Sequence, residues 1–96
     1  MPVQTPYAPR PTSTKLNVSA QTVVKASPGN VYVISVTTAG TTAGTVNDSA
    51  TVAGVAASNL IGSFEAVGIY AFYDFPCVNG ITITPGTGQV LSVSYS

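Results

Sequence analysis

Short runs of β-branched and aromatic residues, separated by turn residues, are the feature that most limits how this 96-residue chain can fold. The strongest run spans residues 31–38 and has apolar residues on both faces, which indicates a central strand. The last run, residues 89–95, places Leu91, Val93 and Tyr95 on one face because side chains alternate along a strand. About seven or eight such runs, spaced by roughly 8–12 residues, are typical of a β-sandwich or a small barrel. The predicted fold class is all-β, an antiparallel, jelly-roll-like β-sandwich.

Gly, Pro and Asn mark the predicted turns between these runs. Residues 27–30 (Ser-Pro-Gly-Asn) and residues 85–88 (Pro-Gly-Thr-Gly) have the composition of tight turns, and the second is predicted to close a hairpin. The pair Asn79-Gly80 is the strongest short hairpin signal in the chain. Because proline cannot donate a ladder hydrogen bond, Pro76 is expected to end the strand predicted over residues 68–73.

Two segments are harder to interpret from their patterns. The alternation of Leu16, Val18 and Ala20 with polar residues predicts one inward face at the start of the domain. Residues 51–61 fit either one face of a short helix or a strand or loop. Gly54 weakens the helix, so a strand or loop is favoured.

The first fourteen residues differ from the remainder of the chain. Residues 1–14 contain four prolines and predict an extended N-terminal arm, followed by a β-sandwich domain over residues 15–96. At ~3.1 Å per residue the arm would reach about 40 Å, beyond the ~13 Å radius of gyration of such a domain. The arm is therefore expected to lie on a neighbouring molecule. The candidate partner-binding residues are Pro2, Pro6, Tyr7, Pro9, Arg10 and Pro11 in the arm, and Tyr70 and Tyr73 in the domain.

Charge is scarce: three Lys and Arg residues balance three Asp and Glu residues, and there is no His. A neutral chain cannot form the basic patch that nucleic acid requires. Without His, an ordinary zinc site or a Ser-His-Asp triad is not available. We therefore predict no catalytic, cofactor-binding or metal-binding residue and no enzyme activity. A surface with so few charges favours association, which points to an oligomer or a larger assembly.

The only cysteine, Cys77, cannot form an internal disulfide and is expected to be buried as a small apolar side chain. A lone thiol fits synthesis in a reducing cytoplasm. The start of the chain lacks the pattern of a signal peptide, and no apolar run approaches the ~20 residues that cross a bilayer, so no membrane partner is predicted.

Five of the aromatic residues lie close together between residues 64 and 75. By alternation, Tyr70 and Phe72 share one face of a strand, while Ala71 and Tyr73 point the other way. One set is expected to fill the core and the other to meet a partner.

The pattern from Lys15 to Tyr95 resembles small virion proteins of tailed bacteriophages. The resemblance lies in strand and turn patterns, not in a catalytic signature. The segments that carry it are 15–18, 24–26, 33–40, 44–48, 68–70, 75–77, 80–81 and 85–95. The pattern is similar to that of capsid decoration (cement) proteins, which are small β-sandwiches or jelly rolls. It implies no binding residue position by position, and it matches the arm least well.

This resemblance implies a structural virion protein, made in the host cytoplasm, that binds the outer capsid surface where subunits of the major capsid protein meet. It also implies a homo-oligomer, with a trimer as the expected form. A head-fibre, neck or tail component is the alternative among structural proteins. A carbohydrate-binding or host-adhesion module, using the aromatic residues 70–75, is the alternative in another class.

Overall fold

The computed structural model describes residues 13–96, and the predicted partner-binding residues of the arm lie outside this range. The described part contains eight strands and one short 3₁₀-helix. The strands are β1 (Ser13–Val18), β2 (Thr22–Lys25), β3 (Gly29–Thr38), β4 (Gly44–Asn47), β5 (Leu60–Phe64), β6 (Gly68–Cys77), β7 (Ile81–Thr84) and β8 (Val90–Tyr95), and the 3₁₀-helix is Ala57–Asn59.

The strands form two four-stranded sheets in the orders β1-β8-β3-β6 and β2-β7-β4-β5. Every strand pair is antiparallel. Except at the β4–β5 connection, each strand is followed by one in the opposite sheet, which is the arrangement of a jelly roll. The predicted fold class is therefore confirmed. The first strand already includes Ser13 and Thr14, two residues inside the predicted arm.

The core lies between the two sheets and is made of alternate residues from the facing strands. The strand β3 is central, as predicted, and buries Val31, Ile34 and Val36 completely or almost so. Its neighbour β8 adds Leu91 and Val93. The other sheet contributes Val46, Phe64, Ile81 and Ile83. Each of these side chains adds about 1.5–3 kcal/mol of burial free energy, so this contact holds the sheets together.

The two predicted hairpins are wrong, because both turns join strands of different sheets. Asn79-Gly80 leads from β6 in one sheet to β7 in the other, and neither residue has a positive φ angle. Residues 85–88 do form a turn, in which the Gln89 N–H donates to the Gly86 carbonyl (3.0 Å) and Gly88 has a φ of 77°. That turn leads from β7 across to β8. Local turn chemistry does not report which sheet the next strand joins.

The predicted inward face of residues 16–20 holds only for Val18. Leu16 is 66% exposed and Ala20 is exposed as well. Asn17 adopts a left-handed conformation (φ 56°), and the pairing of β1 with β8 shifts register between Lys15 and Val18. This irregularity reverses the alternation that the sequence suggests.

Strand β6 continues past the expected stop and reaches Cys77. Pro76 pairs with Asn30 of β3, and β6 is an edge strand, where a proline nitrogen can face away from the ladder. Residues 51–59 form a loop that ends in the single 3₁₀ turn, and β5 begins at Leu60. The favoured interpretation as strand or loop is thus confirmed.

A buried glutamine ties the β7–β8 turn to the end of β5. Gln89 is fully buried, and its Oε1 accepts from the Gly86 N–H (3.0 Å). Its Nε2 donates to the carbonyls of Phe64 (3.1 Å) and Glu65 (3.3 Å), just after β5. Replacing Gln89 with an apolar residue would remove a hydrogen bond from all three of these backbone groups at once.

We predict that Gln89→Met lowers the free energy of unfolding by about 3 kcal/mol, because buried backbone groups left without partners cost about 1–3 kcal/mol each. Urea denaturation measures the change. The matched control is Gln21→Met, since Gln21 is exposed and makes one hydrogen bond, to Thr84 Oγ1 (3.0 Å). Equal losses in the two variants would contradict the role assigned to Gln89.

Candidate interaction surface

Strand β6 forms one edge of its sheet and alternates between half-buried and exposed residues along most of its length. It pairs with β3 through Val36↔Gly68, Ser35↔Ile69, Ile34↔Tyr70 and Val33↔Ala71. Because paired residues point to the same face, Tyr70 lies on the core side with Ile34, and Ile69 and Ala71 lie on the outer side. The predicted division of the aromatic cluster into two faces is confirmed.

The inward aromatic residues are part of the core packing. Tyr70 and Phe72 are half-buried and pack against the core cluster. The Tyr70 ring lies 6.0 Å from the Phe64 ring, and its hydroxyl donates to the Ala66 carbonyl (2.9 Å) and accepts from the Glu65 N–H (3.3 Å). Tyr70 therefore shapes the β5–β6 loop. A contact between Tyr70 and a partner stays a prediction.

The outward side of β6 and its two ends expose large apolar side chains. Tyr73 is 88% exposed and Ile69 is 69% exposed. Val67, just before the strand, and Val78, just after it, are 63% and 71% exposed, and Phe75 is 43% exposed. We call these five residues the β6 stripe. Solitary exposed apolar residues are ordinary, but five within residues 67–78, on and beside one edge strand, form a candidate interaction surface.

A bulge near the end of β6 projects Tyr73 outward. Between Val33↔Ala71 and Val31↔Phe75, β3 has one intervening residue and β6 has three. Tyr73 and Asp74 both have left-handed backbones, with φ angles of 53° and 63°. The side-chain amide of Asn30 donates to the Asp74 carbonyl (3.1 Å) and supports this conformation. Two adjacent non-glycine residues in this region are unusual and often mark functional positions.

The N-terminal end of the described chain lies at the same end of the sheet as this bulge. Ser13 pairs with Tyr95, Tyr95 pairs with Val31, and Val31 pairs with Phe75. This row crosses all four strands. Ser13, the first described residue, thus lies at the end of the sheet where Tyr73 and Phe75 are exposed, on the opposite edge strand.

The connection after β6 is held by the carboxylate of Asp48. It accepts hydrogen bonds from the backbone N–H groups of Val78 (3.1 Å), Asn79 (2.8 Å) and Gly80 (3.3 Å). Partial burial acts to raise the pKa of Asp48, but the three hydrogen bonds outweigh it and leave the pKa below the ordinary value of 3.8. The charged form of Asp48 therefore stabilises the folded state.

We predict that Asp48→Asn lowers the free energy of unfolding at neutral pH by about 1–2 kcal/mol, a value reduced because the carboxylate is only half-buried. A depressed folded-state pKa gives stability that is present above the unfolded pKa and lost as the pH falls through the folded pKa. The difference between wild type and variant should therefore be constant near pH 7 and shrink below about pH 3.8.

Urea denaturation of both proteins across this pH range tests the prediction. Glu65→Gln is the matched control, because the Glu65 side chain is exposed, and its effect should stay within about 0.5 kcal/mol. A pH-independent difference for Asp48→Asn would contradict the assigned role.

Cys77 lies at the last position of β6 and is buried, as predicted. Burial, together with the nearby negative charge of Asp48, raises the pKa of its thiol to about 11. The thiolate is the reactive form, so this cysteine is protected both by its pKa and by its lack of exposure.

We predict that Cys77 reacts with a maleimide only when the protein unfolds. At about pH 8, a thiol with a pKa near 11 has about a hundredfold less thiolate than one at 9.0. Mass spectrometry after timed labelling, with and without urea, measures the difference. Rapid and complete labelling of the folded protein would refute this description of the site.

A shallow apolar depression lies on the outer face of the other sheet. It has a volume of about 270 Å³ and is lined by Thr45, Asn47, Val55, Ala56, Ala57 and Leu60. The buried Asn47 amide donates to the Ala56 carbonyl (3.0 Å) and to Asn59 Oδ1 (2.9 Å), which fixes the covering loop. Among the described residues, Asn47 Oδ1 has no hydrogen-bond partner. The depression thus offers mainly methyl groups to its surroundings.

Residues 13–96 contain no group of three or more His, Cys, Asp and Glu side chains that could hold a metal ion. The same residues include no helix long and apolar enough to span a membrane. Comparisons with known protein families, curated proteins and solved structures found no match to this chain.

Proposed function

We propose that this chain is a non-enzymatic structural protein of a tailed-bacteriophage virion, and specifically a decoration protein that binds the outer capsid surface and stabilises the head. The observation that carries the proposal is the β6 stripe, an exposed apolar edge on a domain with zero net charge. Such a surface favours association with another molecule over a monomeric state.

The fold suits this role. Jelly rolls recur in viral capsid domains, although the fold alone does not define a function. A rigid sandwich can bridge two neighbouring subunits of the major capsid protein without changing shape. Bridging adds buried surface across seams that internal pressure pulls apart, and an ordinary specific contact buries ~1,200–2,000 Å². Many copies on one shell add avidity.

The N-terminal arm extends this proposed footprint. Its residues Pro2 to Pro11 would lie on the capsid or on a neighbouring copy. Extended, proline-rich segments bind at a low entropic cost because they are already stiff. Ser13, which follows the arm in sequence, lies at the same end of the sheet as Tyr73 and Phe75.

We predict that capsids lacking the protein release DNA at a lower temperature than capsids to which purified protein has been added back, because each bound copy bridges subunits. Dye accessibility of the packaged DNA during heating measures release. Equal heat resistance of the two preparations would contradict the decoration role and favour a head-fibre, neck or tail component.

A variant lacking residues 1–12 separates the arm from the domain. The cut stops at Thr12 because Ser13 and Thr14 pair with Tyr95 and Ser94 in the sheet. The variant should remain folded by circular dichroism but wash off capsids more readily than the full chain. Undiminished retention would remove the arm from the proposal.

A carbohydrate-binding or host-adhesion module is the second candidate, favoured by one observation. The Tyr73 ring is almost fully exposed, and exposed aromatic rings are suited to stacking on sugars. Binding to a glycan array that disappears in Tyr73→Ala, together with no binding to capsids, would favour this candidate over the decoration role.

A further inference from the structure

We propose that two copies of this chain pair through β6, with residues 68–72 of one copy running antiparallel to the same residues of the other. The pairing would join the two β1-β8-β3-β6 sheets into one continuous sheet about a two-fold axis. The inference rests on the described residues and does not depend on the capsid proposal.

The first support is the open edge itself. Within residues 13–96, β6 has a hydrogen-bonded neighbour, β3, on one side only. Residues 68–71 pair with β3 in regular register, so alternate N–H and C=O groups point away from the sheet. Such a row is a template for another strand.

The second support is that only the end of β6 carries features that prevent another strand from pairing with it. Edge strands are commonly protected by charges, prolines, bulges or short length. The end of β6 has a bulge at Tyr73 and Asp74, the charge of Asp74, and Pro76. The first part, residues 68–71, has no charge, no proline and no bulge.

Two of the other three edges are protected differently. Strand β1 contains Lys15 and the left-handed Asn17, and β2 has only four residues and contains Lys25. The remaining edge strand, β5, has no charge and is short, with five residues. The Phe72 side chain of β6 packs against Gly62 of β5. The β5 and β6 edges therefore lie on the same side of the sandwich.

The third support is the apolar area available. With 150–250 Å² for a large aromatic side chain and less for Val or Ile, the β6 stripe exposes about 600 Å² per copy. In the pairing of residues 68–72, Val67, Ile69 and Tyr73 lie beside the second copy, whereas Phe75 and Val78 lie beyond it, so at most about 800 Å² of the ~1,200 Å² on two copies is covered. With the two paired backbones added, this is the size of a weak, concentration-dependent interface.

The fourth support is self-complementarity. If Tyr70 lies on the two-fold axis, Gly68 faces Phe72 of the second copy and Ile69 faces Ala71. The Tyr73 of the second copy is then the diagonal neighbour of Ile69, an aromatic–β-branched contact that stabilises sheets. No charge lies between Ala66 and Tyr73, so the two copies oppose no like charges in this segment.

This arrangement closes as a dimer, because the same surface is used by both copies. The trimer implied by the phage resemblance would need a head-to-tail contact between two different surfaces. The mass of the complex in solution therefore distinguishes the two.

Sedimentation equilibrium of the full chain at about 100 μM tests the proposal, because a weak interface with a micromolar dissociation constant is largely formed at that concentration. We expect a mass of twice 9.7 kDa. In Ile69→Lys the two new charges would lie about 7–8 Å apart across the axis, and the dissociation constant should rise at least about tenfold.

Leu16→Lys is the matched control. Leu16 is 66% exposed on the opposite edge strand, so the substitution has the same chemistry and nearly the same exposure as Ile69→Lys. It should leave the dimer intact. Thermal melting of both variants confirms that each remains folded.

The double variant Ile69→Cys/Ala71→Cys tests the register. These positions face each other across the axis in the proposed pairing, at a Cα separation of about 4.5–5.5 Å that a disulfide can span. Oxidation should give a covalent dimer, and the buried Cys77 should not contribute.

The proposal is overturned if the full chain is a monomer at this concentration, or if Ile69→Lys and Leu16→Lys dissociate it equally. A trimer that Ile69→Lys leaves intact would also overturn it. So would a monomer whose β6 amides exchange faster after removal of residues 1–12, because that result assigns the edge to the N-terminal segment.

Discussion

The contact between the inner faces of the two sheets is the interaction on which the structure depends. Ile34 and Val36 of β3, with Leu91 of β8, pack toward Ile81 and Ile83 of β7. Without His, metal-ligand clusters in the described residues or a disulfide, the domain has this apolar layer as its main source of stability. The layer also determines which faces remain outside.

Hydrogen bonds from two polar side chains hold connections that the apolar layer does not reach. Gln89 joins the β7–β8 turn to the end of β5, and Asp48 holds the link between β6 and β7. Both connect the two sheets at points where the chain crosses between them. Each of these side chains forms hydrogen bonds with three backbone groups, so two residues satisfy six backbone donors and acceptors in the connections.

A two-sheet sandwich has four edge strands, and they differ in how well their side chains and backbone prevent contact with another molecule. Charge and irregular backbone protect β1 and the end of β6, while the stripe around Ile69 and Tyr73 stays apolar and exposed. A domain with six charged residues has little electrostatic repulsion to keep copies apart. These two features favour association with further copies or with a larger assembly, which is the basis of both proposals.

The sequence by itself determined the strand content, the central position of β3, the burial of Cys77 and the two faces of the aromatic cluster, because these follow from alternation and residue type. It did not reveal that Asn79-Gly80 crosses between sheets, that Leu16 points outward, or that β6 runs through Pro76. Only the tertiary structure decided these, since they depend on which strand lies beside each segment. The β6 stripe was likewise decided by the tertiary structure, because its five apolar residues form an exposed surface only when β6 lies at the edge of its sheet.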